Sequence, residues 1–182
     1  YLALAFGILA VSTASPLIRF AQREAPSLVI AAYRLTLASL MLMPYTLARH
    51  RKEMRGIRKN AFALVTLSGV FLALHFASWI TSLEYTTVAS SVVLVTTAPL
   101  WVAVLSPLFL REKPALFVAI GLLVALVGGV VVGLSESCRW AGGRLDCASL
   151  ALFTHGRAFT GNLLALAGAW FAAGYLLIGR KL

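Results

Sequence analysis

Few side chains in this 182-residue chain could do chemistry, and most of those that could sit inside long apolar runs. Arg34 is a fixed cation eight residues beyond Pro26, roughly 12 Å along a helix at 1.5 Å per residue. Its planar fork can hold a carboxylate or phosphate through two parallel hydrogen bonds. The plainer alternatives are snorkelling toward water or a clamp on the carbonyl ends of neighbouring helices. At about 100° per residue, Ser68, His75, Trp79 and Ser82 fall within a narrow arc of one helix. A histidine at membrane depth is a candidate for function, against the plainer reading of a neutral imidazole bonded to a neighbour's hydroxyl. Thr86, Ser90, Thr97 and Trp101 share one sector of about 60°, bordered by Thr87 and Ser91. Any one hydroxyl can satisfy itself on its own helix. Clustered beside Pro99, they suit the wall of a cavity, and Pro99 deprives the carbonyl near Val95 of its donor.

The elements that must position these residues are membrane spans. The chain is 60% hydrophobic and 12% charged, with mean hydropathy +0.90, whereas a soluble domain carries about 25% charged residues. Charge-free runs cover Tyr1–Ile18, Ala61–Leu83, Tyr85–Leu110, Pro114–Ser135 and Ala158–Gly179, and Pro26–Ala48 is interrupted only by Arg34. A span needs about 20 apolar residues, so six spans are expected, at 1–19, 26–48, 61–83, 86–110, 114–134 and 161–182. The first lacks the basic leader and cleavage site of a signal peptide. The fold class is an all-α polytopic helix bundle. Glycine and alanine recur every four residues at Gly121, Ala125, Gly129 and Gly133, and at Gly161, Ala165, Ala169 and Ala173. Such stripes let helix backbones approach closely.

The net charge of +10 is distributed as membrane loops distribute it. Arg49, Arg51, Lys52, Arg55, Arg58, Lys59, Arg111, Lys113, Arg180 and Lys181 all fall on one side. Arg19, Arg23, Arg139, Arg144 and Arg157 fall on the other. The positive-inside rule places the richer side, and the N-terminus, in the cytoplasm, and a bacterial inner membrane is expected. The basic residues lack interleaved aromatics, so nucleic acid is not an expected partner. The longest loop, 135–160, would then be extracytoplasmic. There Cys138 and Cys147 bracket the turn-like Ala141-Gly142-Gly143-Arg144 and are candidates for a disulfide, which that compartment permits. No His or Cys stands at ligand spacing from either, and neither a metal nor a cofactor is expected. Glu84 sits at the edge of a run and Glu112 at the end of another, so the runs carry no carboxylate proton relay.

The segment LEYTTVASSVVLVTTAPLWVAVLSPLFLREK resembles the EamA repeat of the drug/metabolite transporter superfamily. The matching positions are Leu83, Tyr85, Thr86, Ala89, Pro99 and Glu112. AAYRLTLASLMLMP around Arg34 is similar to the family's second helix, and LALAFGILAVSTASPLIRFA to its first. Phe6 stands where many members have Trp, and Arg111 where Gly often precedes the Glu. The resemblance implies ten helices in two inverted five-helix repeats around a central cavity, exporting or exchanging small metabolites. Arg34, Pro99 and Glu112 carry over. Residues 1–134 would form the first repeat and 161–182 the first helix of the second.

The expected function is transport of small metabolites, amino acids or related compounds among them, by alternating access between inverted repeats. Expected pathway residues are Arg34, Ser68, His75, Trp79, Ser90, Thr97, Pro99 and Trp101, with Tyr85, Thr86 and Glu112 as motif positions. The expected partners are the lipid bilayer and a small-molecule substrate. A chain ending at Leu182 would instead force a homodimer or a non-transport role. A scaffold or receptor is the competing class. An intramembrane enzyme needs paired catalytic groups, and the spans offer one isolated histidine, so no enzyme is expected.

Overall fold

In a computed structural model, residues 2–112, 114–147 and 156–182 are described; Tyr1, Lys113 and the middle of the long loop lie outside them. The helices are α1 (Leu2–Ala21), α2 (Ser27–Arg49), α3 (Arg51–Arg55), α4 (Lys59–Tyr85), α5 (Val88–Val95), α6 (Ala98–Phe109), α7 (Leu116–Ser137) and α8 (Arg157–Gly179). Among the described residues, five segments are long and apolar enough to cross a bilayer: Leu4–Ala21, α2, α4, Val88–Phe109 and α8. Leu116–Gly129 within α7 is a shorter apolar stretch.

Large apolar side chains face outward, as at Met41 (80% exposed) and Phe117 (86%). In water such a surface would aggregate. A bilayer accepts it, and helix association then rests on close packing and interhelical hydrogen bonds. The interior is correspondingly small. Ile18, Ala31, Trp79, Ile80, Leu83 and Val95 form its core, drawn from α1, α2, α4 and α5.

The seam between α4 and α8 is the tightest contact. Gly161, Ala165, Gly168, Ala169 and Ala173 are buried on α8. A β-carbon on Gly161 would lie 2.8 Å from the Thr86 backbone nitrogen, so this approach requires glycine.

Three local features depart from plain spans. The run expected at 86–110 is two helices, because Pro99 has no N–H to give Val95; the ladder breaks at Thr96–Thr97 and restarts with Pro99 in the first turn of α6. Much of the expected loop 135–160 has regular structure. α7 runs on to Ser137, a hairpin of β1 (Cys138–Ala141) and β2 (Arg144–Cys147) follows, and α8 begins at Arg157. The hairpin turns on Gly142 (φ 57°) and Gly143 (φ 76°), the two positive angles a type I′ turn needs. Its antiparallel register sets Cys138 opposite Cys147. Finally, Arg111 takes φ 57°, a left-handed conformation that glycine adopts without strain.

Candidate functional site

The face of α4 read as a pathway wall lies against α8. The Ser68 hydroxyl donates to the Tyr175 carbonyl at 3.4 Å. His75 donates from Nδ1 to the Gly168 carbonyl at 2.8 Å. Ser82 is fully buried, donating to its own helix at Trp79 (2.6 Å) and sharing a 2.6 Å hydrogen bond with Ser91 of α5. The Thr86 hydroxyl donates to Asn162 Oδ1 at 2.8 Å. Three bonds therefore tie α4 and the start of α5 to α8 along its length.

Trp79 belongs to a second group. Its ring stacks on His75 (centroids 6.0 Å, 16°) and packs against Phe76 at 6.1 Å. The Arg34 guanidinium reaches across from α2, its Cζ lying 5.0 Å from the Phe76 centroid and 5.7 Å from that of Trp79. The rings' electron-rich faces stabilise the cation there. Of the three readings of Arg34, the carbonyl clamp does not form. Among the described residues the guanidinium neither donates a hydrogen bond nor pairs with a carboxylate. Trp79 Nε1, on a residue only 8% exposed, is also a buried donor without an acceptor.

The hydroxyl face of the broken span divides at the break. Thr87 caps α5 by accepting from the Ser90 backbone N–H at 3.1 Å. Thr97 donates back to the Leu94 carbonyl at 2.6 Å and accepts from Trp101 Nε1 at 3.2 Å. Trp101 in turn packs on Trp170 of α8, with centroids 4.8 Å apart at 48°. Thr97, Trp101 and Trp170 thus form one cluster just below the break, while Pro99 itself is exposed.

Three sets of polar contacts escaped sequence reasoning. Glu84, seen only as an edge residue, accepts from the Ser27 hydroxyl and, at 3.2 Å, from the Ser27 backbone N–H. Ser27 opens α2, whose N-cap Pro26 supplies no side-chain bond. A carboxylate from α4 thus caps the positive end of α2. Gln22 completes the cluster, donating to Ser27 Oγ and to the Ile80 carbonyl, both at 2.7 Å. Ser27 and Glu84 stand 57 residues apart, so nothing in the sequence paired them. At the opposite end Glu112 pairs with Arg180 at 2.7 Å, joining the motif glutamate to the end of α8. Asn162 was missed because an amide in a small-residue stripe has no pattern of its own.

Among the described residues no three His, Cys, Asp or Glu side chains gather as metal ligands. An apolar cleft of about 580 Å³ opens between α1 and α2, walled by Ala10, Ala14, Ala21, Val29 and Ile30, with Tyr33 and Arg34 as its polar positions. The family model described as the EamA-like transporter family matches residues 1–134. No curated protein and no solved structure matches the chain.

Proposed function

The chain belongs to the EamA-like transporter family, an integral membrane family of the drug/metabolite transporter superfamily, and from that premise we propose that it exports or exchanges small metabolites, amino acids or related compounds, by alternating access. In this reading the first repeat rocks against an inverted second repeat that α8 begins. The basic loops face the cytoplasm of a bacterial inner membrane, by the positive-inside rule. The pathway is walled by α1, α4, the α5–α6 pair and α8.

The observation that carries this reading is the break at Thr96–Thr97. Interrupted backbone within a bilayer is tolerated where protein or a cavity surrounds it. Here Thr97 and Trp101 stand at the restart of the helix, against Trp170. We assign Ser90, Thr97, Pro99 and Trp101 to the pathway. Ser68 and His75 hold the α4–α8 seam, since each spends its donor on an α8 carbonyl.

The test is flux of a metabolite panel through the full-length protein in liposomes. Thr97→Val and Trp101→Ala are expected to lower flux of the transported compound at least several-fold with unchanged insertion. Unchanged flux in both variants removes this face from the pathway.

A further inference from the structure

We infer that Arg34 is the binding point for the acid group of an amphipathic organic anion, a small carboxylate with an apolar body lodged between α1 and α2. The inference rests on the transporter reading for its physiological role and on separate observations for its chemistry. A charge at membrane depth is costly, and proteins ordinarily pair it or return it to water. Arg34 is half-buried, held over the faces of Phe76 and Trp79. Aromatic faces stabilise a cation without occupying its N–H groups, and guanidinium has five of these in a fixed fork. None meets a protein acceptor among the described residues. A second buried donor without an acceptor, Trp79 Nε1, belongs to the same aromatic cluster.

The cleft supplies the remaining specification. Its volume of about 580 Å³ lies within the 300–1,000 Å³ typical of small-molecule sites. Ala10, Ala14 and Ala21 leave room along α1, Val29 and Ile30 face them from α2, and Arg34 is its one cation. A wall of that kind favours an apolar body, and a lone guanidinium favours one oxyanion. Carboxylate and phosphate headgroups of lipids share the oxyanion chemistry.

Binding can be measured without transport, by equilibrium dialysis of the full-length protein against 3-phenylpropionate and its neutral amide. The protein is held in nanodiscs of phosphatidylcholine. The acid is expected to bind at least tenfold tighter than the amide. Arg34→Gln should bring the two within twofold of each other, and Arg34→Lys should fall between, keeping charge but losing the fork. Should Arg34→Gln fail to fold, Arg34→Lys carries the test, since it keeps the charge and loses the fork. Equal binding of acid and amide by the unaltered protein, or no acid binding at millimolar concentration, overturns the inference. So does an unchanged acid preference in every folded variant. Loss of acid binding when phosphatidylglycerol is added would assign the oxyanion to a lipid headgroup and also overturn it. Because the readout is binding, a failed flux assay leaves this result standing, and failure here leaves transport of other solutes standing.

Discussion

Replacing Gly161 with alanine measures how much of the bundle depends on one close approach. A β-carbon at Gly161 would lie 2.8 Å from Thr86 Cβ and 2.9 Å from Tyr85 Cβ. Carbon atoms in contact rest at about 3.5–4.0 Å, so α8 and the α4–α5 junction must part by about 0.7 Å or more. Overpacking of this kind costs about 1–3 kcal/mol. The Thr86–Asn162 bond lies at the same place, and stretching it forfeits part of about 0.5–1.5 kcal/mol. Against these stands the helix-propensity gain of alanine over glycine, about 0.8–1.0 kcal/mol. The net expectation for Gly161→Ala is destabilisation by up to about 3 kcal/mol. Gly69 is the control, interior to α4 with nothing within 4 Å of its built β-carbon. Gly69→Ala should be neutral or stabilising by up to about 1 kcal/mol. Denaturant titration of the full-length protein in mixed micelles reads both. Equal effects of the two substitutions would refute the close-contact account of the seam.

Glu84→Gln removes the charge from the α2 cap while keeping an acceptor, and should lower stability by about 0.5–1 kcal/mol; an unaltered thermal midpoint in low salt would argue against a dipole contribution. Arg111→Gly releases a left-handed side-chain-bearing residue, a strain of about 1–2 kcal/mol, partly offset by the added freedom of the unfolded chain. A small rise in stability is expected, and a fall would mean that the Arg111 side chain contributes more than the strain costs. Cys138 and Cys147 stand opposite one another three pairs beyond the Ala141–Arg144 pair that closes the turn. That makes them a non-hydrogen-bonded pair, with α-carbons about 4.5 Å apart, at the near end of the disulfide range. Protein purified without reductant should therefore resist maleimide labelling at both until reduced, and labelling of both without reduction would exclude the bond.

The spans were legible because a bilayer imposes a simple rule on composition. Five of the six expected spans reappear as single helices with ends shifted by one to four residues, and the sixth is divided at Thr96–Thr97. Pro99 gave away the break by chemistry alone, since a residue without an N–H must leave a carbonyl unserved four positions earlier. The Gly142-Gly143 pair likewise marked a turn, although the strands on either side are short and carry no alternation strong enough to announce a hairpin. Long-range partners were not legible. His75 bonds a carbonyl 93 residues away, and every residue has a carbonyl, so nothing in the sequence singles out Gly168. Ser68, His75 and Trp79 share one arc of α4, and the first two spend their donors on α8 carbonyls. Periodicity alone does not say whether such a face meets a cavity or another helix. Arg34 marks the same boundary. Its place within an apolar run was readable, but whether carbonyls, water or aromatic rings surround it depends on which helix lies opposite.

The interruption between α5 and α6 has a mechanical consequence. α4 is an unbroken strut of 27 residues, about 40 Å at 1.5 Å per residue. A strut can only tilt as a whole, so moving one end obliges the other to move in opposition. The neighbouring span is instead a segment of 8 residues joined to one of 12 by two threonines. The joint lies about 12 Å from the start of α5, well inside a hydrocarbon layer of about 30 Å. A change of torsion at Thr96 and Thr97 swings one half while the other keeps its packing. In the transport reading proposed above, one half of this span could then move at one mouth of the pathway while the other half stays packed.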